Sequence, residues 1–367
     1  MLYEQLTCEP LISNLESGTT SQEIVLSQDV SNPDEWDTFV RSHLHGSVFH
    51  LTAWQRLIQG TFGYEPKHII ARSSSGGELC GVLPLFFVRS LIFGRLLVST
   101  PHAAYGGILA NSDVAAHALF TRAREIAKEL GVQFLELRSF GNPVKEEGIV
   151  QRDLYVTFRQ HLRENVHENF LAIPKKTRAE IREGIRKELE FRVDAIGPDD
   201  FFNVYSRNLR DLGTPAFTRR LFANGQREFG PECKIFSTHW KGKLVGAVWT
   251  LFYKDEVVPY YGASIREYNH LAVSNFMYWM VIKYSVENGY KSLDFGRSKK
   301  GTGSFNFKKR WGMDMSDLRY QYVLIRRREM PDTSPFNPKF SLPIQIWRKL
   351  PLGLTNSVGP LISKHLI

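Results

Sequence analysis

Asp294 is the residue whose position in the chain could most directly supply chemistry. It lies at the end of a predicted strand, just before Gly296, where the chain leaves the sheet. A carboxylate at the end of a strand can accept a proton from a substrate group or hold that group in place for reaction. Asp294 could orient or deprotonate a substrate amine. The alternative is that it caps the turn or pairs with Arg297.

Two adjacent tyrosines lie in the strand predicted at 257–264. Either hydroxyl, of Tyr260 or Tyr261, could donate a hydrogen bond to an oxyanion. The alternative is that both are buried strand aromatics, which is the commoner outcome. Tyr105 precedes a glycine in the same way in the first half of the chain, so a structural reason for tyrosine here stays open. We take Asp294 and Tyr261 as the candidate catalytic residues.

A basic cluster surrounds the Gly-Thr-Gly-Ser turn that begins at Gly301. Basic side chains around exposed backbone N–H groups suit a phosphate, such as that of a sugar nucleotide or a tRNA 3′ end. Interleaved aromatics could stack on bases or sugars. The alternatives are a solvated charge run and aromatics that anchor the loop in the core. The candidate substrate-binding residues are Tyr260, Arg297, Lys299, Lys300, Lys308, Lys309 and Trp311.

Several common reaction centres are missing from the sequence. It contains no His-Glu-x-x-His, no Gly-x-x-x-x-Gly-Lys-Ser/Thr and no Gly-x-Ser-x-Gly. His43, His45 and His50 lie together but have no carboxylate or cysteine at ligand spacing, so we predict no metal site. These absences argue against P-loop and serine-hydrolase chemistry, and no tightly bound cofactor is expected.

Composition indicates an ordinary globular protein of two domains. The chain has 367 residues, of which 43% are hydrophobic and 23% charged, with a net charge of +9. The basic balance favours an anionic partner. Cys8, Cys80 and Cys233 are far apart, which fits a reducing compartment. No signal peptide or spanning segment is evident, so we predict a cytoplasmic protein.

The two halves of the chain repeat one order of elements. Residues 78–87 resemble 243–253, residues 105–107 resemble 261–263, and the helix-to-strand junction at 130–137 resembles 288–295. We infer a duplicated β-β-β-α-β unit, with domains at 21–165 and 166–330, a flexible 1–20, a basic linker helix at 174–190 and a tail at 331–367. The first predicted helix begins at residue 33, and the other predicted helices cover 52–59, 112–130, 199–210, 217–229 and 270–288. The predicted strands cover 23–27, 67–72, 79–88, 96–100, 107–110, 133–139, 233–240, 244–253, 257–264, 291–296 and 319–325.

The duplicated unit is similar to the GNAT acyltransferase fold, and its tandem arrangement resembles the FemABX aminoacyltransferases. Asp294-Phe295-Gly296-Arg297-Ser298, followed by the run from Gly301 to Gly312, resembles the FemAB-like branch associated with the PEP-CTERM/exosortase system. The resemblance implies an α/β (α+β) fold of two tandem GNAT-like domains, each a mixed, largely antiparallel sheet flanked by helices. It covers nearly the whole chain from Glu23 onward.

The resemblance also implies acyl or aminoacyl transfer to an amine of a peptidoglycan-type or exopolysaccharide-related envelope precursor. The donor is aminoacyl-tRNA or acyl-CoA. CoA-using GNAT proteins carry a glycine-rich loop before the long helix, whereas residues 265–272 contain no glycine. Two alternatives stay open: an acyl-CoA-dependent amino-sugar N-acyltransferase, and a non-catalytic basic module that binds an anionic polymer. We expect no DNA partner, because no DNA-binding motif is present.

The linker helix and the tail each have two interpretations. The basic face of 174–190 could lie along tRNA or could simply face solvent, which we favour. The tail alternates apolar and basic residues, so it could dock on the inner membrane face beside a lipid-linked precursor. Its prolines and glycines interrupt any long amphipathic helix, which favours packing across the domains instead.

Overall fold

The computed structural model describes residues 23–28, 31–140, 143–330 and 341–366. The predicted flexible segment 1–20 lies outside these ranges. The first half contains β1 (Ile24–Ser27), α1 (Pro33–Ser42), α2 (Thr52–Phe62), β2 (Glu65–Pro66), β3 (Ile69–Ser73), β4 (Leu79–Leu83), β5 (Phe86–Ser90), β6 (Gly94–Val98), β7 (Leu109–Ala110), α3 (Asp113–Glu129), β8 (Phe134–Ser139) and β9 (Ile149–His161).

The second half contains α4 (Val166–Ala172), α5 (Lys175–Arg186), β10 (Glu190–Val193), α6 (Pro198–Leu212), α7 (Arg220–Phe229), β11 (Cys233–Trp240), β12 (Lys243–Tyr253), β13 (Glu256–Ser264), α8 (Val273–Glu287), β14 (Ser292–Asp294), β15 (Ser298–Lys299), α9 (Gly303–Lys309), β16 (Asp314–Leu324), α10 (Ser341–Lys349) and α11 (Leu352–Ser363). Most predicted helices and strands are present within a few residues of their expected bounds. The helix ends follow local chemistry: Asn32 caps α1 and Ser112 caps α3 through their side chains.

The structure differs from the local predictions at four places. The strand predicted at 79–88 is two strands in different sheets, because Pro84 cannot continue the ladder. The helix predicted from 270 begins at Val273, after a 3₁₀ segment at Arg266–Leu271. The turn at Gly301 opens α9, which Thr302 caps. The strand predicted at 319–325 begins at Asp314, and its partner β9 was not predicted at all.

The duplication is visible in the sheet topology. In each half, a strand that precedes the long helix pairs in parallel with the strand that follows it: β6 with β8, and β13 with β14. Each long helix ends at a glycine with positive φ, Gly131 or Gly289, which lets the chain turn back to the sheet. Strands β11, β12 and β13 form the predicted antiparallel series.

The two halves exchange their last long strands. The central order of the large sheet is β14-β9-β16-β8, so β9 of the first half pairs with β14 of the second. Reciprocally, β16 of the second half pairs with β8 of the first, and β9 and β16 pair antiparallel with each other. The sheet therefore runs without interruption across the predicted domain boundary.

The C-terminal helices pack on both halves. Tyr64 donates a hydrogen bond to the carbonyl of Lys364 at 2.5 Å, and Ser90 donates to that of His365 at 3.0 Å. Arg348 donates to the carbonyl of Leu212 at the end of α6. Packing across the molecule, the favoured interpretation of the tail, is confirmed. Within the described residues, none of the helices combines the length and the apolar character that crossing a bilayer requires.

Candidate functional site

The site is built where β13 and β14 separate. These strands pair only at Glu256 with Ser292 and at Val257 with Leu293. Beyond that point β14 ends at Asp294, and Gly296 adopts φ +67°, a conformation that favours glycine. The gap so formed brings side chains of β9, β13, α9 and the first half of the chain together.

Asp294 is a fully buried hydrogen-bond acceptor at this break. One carboxylate oxygen accepts from the hydroxyl of Thr157 at 2.5 Å and from the amide of Gly296 at 2.7 Å. The other accepts from the hydroxyl of Tyr105 at 2.5 Å. With 0% exposure, this carboxylate caps the turn, as in the alternative interpretation, and its ionic neighbour is Arg159 at 3.7 Å rather than Arg297.

A second carboxylate, Glu256, faces a cavity beside Asp294. It is 8% exposed and forms an ion pair with Arg159. Burial, and next the negative charge of Asp294, raise the pKa of Glu256 to about 7, while Arg159 opposes the shift. The cavity, of about 300 Å³, is also lined by His45, Ser47, Tyr105 and Phe140, among others. A carboxylate that titrates near neutral pH in a cavity suits a general base.

Sequence reasoning missed this pair. Glu256 is the first residue of β13 and directly follows Asp255 of the short connection from β12, where a charged residue is typical of a surface hairpin. Arg159 lies on β9, a strand that no local pattern predicted. The contact joins two residues far apart in sequence, a buried Glu256 and a half-buried Arg159, so no local pattern could indicate it.

Lys308 lies on the other side of the break. Its ammonium donates to the carbonyl oxygens of Phe295, Gly296 at 3.1 Å and Arg297 at 3.4 Å. Burial lowers the pKa of Lys308 to about 8, and the nearby Asp294 opposes that shift. Helix α9 therefore holds a positive charge against the backbone that links β14 to β15.

The two tyrosines lie in packed aromatic surroundings of β13. The hydroxyl of Tyr260 donates to the carbonyl of His102 at 2.7 Å, which ties β13 to the first half. The ring of Tyr261 lies among those of Tyr205, Phe222 and Trp249. Burial raises the pKa of both tyrosines above 10, so both stay protonated. The hydroxyl of Tyr260 therefore has a structural partner, while an oxyanion role for Tyr261 stays a prediction.

The remaining predicted basic residues do not converge on one phosphate site. Lys300 pairs with Asp317 at 2.7 Å on the surface, and the ammonium of Lys309 lies 6.0 Å from the centroid of the Phe305 ring. Lys299 and Arg297 both lie over the ring of Tyr155, at 5.9 and 4.7 Å from its centroid. The physical reason is that α9 replaces the predicted turn and points its side chains in several directions.

Trp311 is part of the core. Its side chain is 1% exposed and packs against Phe295, Phe307 and Tyr278. A ring in that position cannot stack on a base or a sugar. Trp311 therefore anchors the loop, which was the alternative to a substrate-binding role.

Comparisons with known proteins agree with this architecture. Residues 175–309 match the family model described as acetyltransferase (GNAT) domain. The structure of FemX superposes with a TM-score of 0.62 at 15% identity, over 80% of this chain and 96% of that one. The C-terminal domain of a putative lysylphosphatidylglycerol synthetase from Agrobacterium fabrum gives 0.53 at 14% identity, over 80% and 91% of the two chains.

A tandem GNAT protein from the clavulanic acid biosynthesis pathway is also similar, with a TM-score of 0.53 at 13% identity, over 84% of this chain and all of that one. No curated protein matches the sequence. At such identities the likeness is one of fold. The chain has the predicted GNAT acyltransferase fold of two tandem domains, each a mixed, largely antiparallel sheet flanked by helices.

Proposed function

We propose that the protein is an N-acyltransferase that moves an acyl or aminoacyl group to an amine of a cell-envelope precursor. The observation that carries the proposal is Glu256, a buried carboxylate with a pKa of about 7, in a cavity at the strand break of a tandem GNAT fold. An ammonium substrate must lose a proton before it attacks, and a base that titrates near neutral pH is suited to accept it.

The proposed reaction uses four residues around the break. Glu256 accepts a proton from the amine, whose nitrogen attacks the donor carbonyl carbon; an amide forms and the ester oxygen or thioester sulfur leaves with a proton. Arg159 holds the Glu256 carboxylate in place. The charge of Lys308 favours the negative charge that develops on the donor or its leaving group. Asp294 is a positioning residue that fixes the turn between them.

Aminoacyl-tRNA is the donor that we favour. The 3₁₀ segment Arg266–Leu271 and Ala272, with φ +56°, occupy the place before α8 where CoA-using relatives carry a glycine-rich loop. The names of FemX and of lysylphosphatidylglycerol synthetase support an envelope product, and the Asp294–Gly312 run supports the PEP-CTERM branch. Acyl-CoA remains the alternative donor, because the clavulanic-acid relative is described in connection with AcCoA.

A transfer assay separates these donors. Purified protein would receive labelled aminoacyl-tRNA or labelled acetyl-CoA in parallel, with muropeptide precursors or amino sugars as acceptors. We expect label to move from aminoacyl-tRNA to a muropeptide-type amine, and Glu256→Gln to abolish the transfer. Glu267→Gln is the matched control, because Glu267 is an exposed glutamate that pairs with Arg207 at the surface.

The other outcomes each support a different conclusion. Transfer only from acetyl-CoA to an amino sugar would replace the proposal with the amino-sugar N-acyltransferase. Salt-dependent binding of an anionic polymer without any transfer would indicate that the protein is the non-catalytic basic module. Equal activity of Glu256→Gln and Glu267→Gln would remove Glu256 from the mechanism.

We also propose that the protein works at the cytoplasmic face of the inner membrane, on a lipid-linked precursor. Helices α10 and α11 expose apolar side chains beside Arg348 and Lys349, a combination that suits an anionic bilayer surface. The exposed apolar residues are Leu342, Ile346, Leu354, Leu361 and Leu366.

Flotation with vesicles that contain anionic phosphatidylglycerol tests this surface. We expect the protein to float with these vesicles, and a Leu354→Ser/Leu361→Ser variant to remain in solution. Leu44→Ser is the control, because Leu44 is an even more exposed leucine that belongs to neither α10 nor α11. Equal flotation of the two variants would contradict the assignment.

A further inference from the structure

A narrow cavity on the first-half side of the exchanged strands is rich in guanidinium groups. Arg138 on β8, Arg152 on β9 and Arg297 from the β14–β15 turn all line it. In register, Tyr320 of β16 lies opposite Arg138 on one neighbour and opposite Arg152 on the other. The walls of the cavity therefore come from strands of both halves, and the cavity exists only because those strands are exchanged.

The positive charge in this cavity exceeds the negative charge. Glu136 is the one carboxylate among its described lining residues, and it accepts from the Nε of Arg138 at 2.7 Å. Arg138 also donates to the carbonyl of Ala103 and is only 1% exposed. Even if the charge of Arg152 is not counted, the single negative charge of Glu136 neutralises only one of the two guanidinium groups of Arg138 and Arg297.

Because Glu136 pairs with Arg138, the positive charge of Arg297 is not neutralised by a carboxylate of this cavity. It lies 4.7 Å from the centroid of the Tyr155 ring, and its one hydrogen bond to a side chain among the described residues is a long one to the hydroxyl of Tyr320 at 3.4 Å. Within those residues no carboxylate lies within ion-pairing distance of it. Buried charges in proteins are normally paired, so an unpaired guanidinium beside a second one indicates an anionic ligand.

The size of the cavity limits the ligand. Its free volume of about 40 Å³ holds on the order of three water molecules. That space suits one tetrahedral oxyanion and excludes a nucleotide or a sugar ring. Guanidinium groups bind phosphate through paired N–H donors, which a planar fork offers and an ammonium does not.

We propose that this cavity binds a single phosphate group between Arg297 and Arg138. This site deepens the proposed function, because it could anchor the phosphate of a precursor or donor substrate. Only the identity of the molecule that carries the phosphate rests on the proposed function. The site differs from the predicted one at the Gly301 turn: Arg297 belongs to it, whereas Lys300, Lys308 and Lys309 do not.

Calorimetric titration of the full chain tests the site without any turnover. The probes are inorganic phosphate, uridine diphosphate and acetate at matched ionic strength. We expect phosphate to bind, and Arg297→Met to weaken its affinity at least about tenfold. Arg319→Met is the matched control, because Arg319 is an exposed arginine next to Tyr320 on the same strand, and its affinity should stay within about twofold of the wild type.

The three probes distinguish a free phosphate from a nucleotide-linked phosphate, and they define the results that would overturn the proposal. Tighter binding of uridine diphosphate than of inorganic phosphate would indicate a nucleotide-linked ligand with its terminal phosphate in the cavity. Failure of the wild type to bind either phosphate, equal binding by Arg297→Met, or equally tight binding of acetate would overturn the proposal. If Arg297→Met melts early, Arg297→Lys replaces it, and we expect weakened binding because the fork is lost. Transfer activity is measured separately, so a missing phosphate site and a wrong proposed function give different results.

Discussion

At the scale of single residues, the site depends on two neighbouring carboxylates in different environments. Asp294 accepts hydrogen bonds on both oxygens and has no exposed surface, whereas Glu256 faces a cavity and has one guanidinium partner. Burial, and next the negative charge of Asp294, raise the pKa of Glu256 to about 7. This difference in environment supports our proposal that Asp294 holds the turn while Glu256 accepts the proton.

The first prediction concerns the pH dependence of transfer. The active form of Glu256 is deprotonated and its pKa is about 7, so the rate should rise as the pH increases through about 7 and fall about tenfold per pH unit well below it. Initial rates between pH 5.5 and 8.5 measure this. In Glu256→Gln we expect a rate lower by roughly 10²-fold or more, without this rise. A variant that kept the wild-type profile would show that another group titrates.

The second prediction separates a structural from a catalytic role for Asp294. Asp294→Ala leaves the hydroxyls of Tyr105 and Thr157 without their acceptor, and each buried unsatisfied group costs about 1–3 kcal/mol. We expect the free energy of unfolding to fall by roughly 2–5 kcal/mol in denaturant titrations. Asp314→Ala, at an exposed aspartate of β16, should change it by less than about 0.5 kcal/mol. Equal stabilities of the two variants would contradict the turn-capping role.

At the scale of elements, the basic linker helix α5 packs closely against α8 at a single glycine, Gly184. A Cβ atom at Gly184 would lie 2.7 Å from the Cβ of Phe276. Ile181 of α5 is buried, while Ile185 is half exposed to solvent. Close approach of the two helices, rather than a wide apolar stripe, therefore holds α5 in place.

The third prediction compares two helical glycines. Alanine normally favours a helix by up to about 1 kcal/mol over glycine, so Gly60→Ala in α2, where a Cβ meets only ordinary contacts, should stabilise the protein by about 0.5–1 kcal/mol. Gly184→Ala should instead destabilise it by roughly 1–3 kcal/mol, because α5 must move off Phe276. Thermal melts of both variants measure the sign. Stabilisation of both would show that α5 is free to shift.

At the scale of the whole molecule, the exchange of β9 and β16 makes each half depend on the other. Without β9, the second half leaves one edge of β14 unpaired, and without β16 the first half leaves an edge of β8 unpaired. The Glu256–Arg159 ion pair and the arginine cavity also take residues from both halves. Both sites therefore require the two halves to be folded together.

The fourth prediction follows from this exchange. Fragments 1–165 and 166–367, made separately, should each lack a cooperative thermal transition, because each exposes a strand edge and part of the shared core. The full chain should melt in a single transition. Circular dichroism and calorimetry of the three samples measure this. Cooperative melting of either fragment alone would instead support two independent domains at the predicted boundary.

The sequence by itself determined the locally encoded features. Capping residues such as Asn32 and Ser112, the helix periodicity of α3, and the hairpin series β11–β13 follow from neighbours a few positions apart. The internal duplication indicated the tandem fold, and the strand end at Asp294 marked the correct region of the sheet. Each of these depends on chemistry within one element or one turn.

The tertiary structure alone decided which side chains meet. Thr157 and Tyr105 occupy the two oxygens of Asp294, Arg159 pairs with Glu256, and Arg297 turns toward Arg138 rather than Lys308. These contacts join strands that are far apart in the chain and exchanged between halves, so no local spacing encodes them. Burial then sets the pKa of each group, and with it the role that the residue can take.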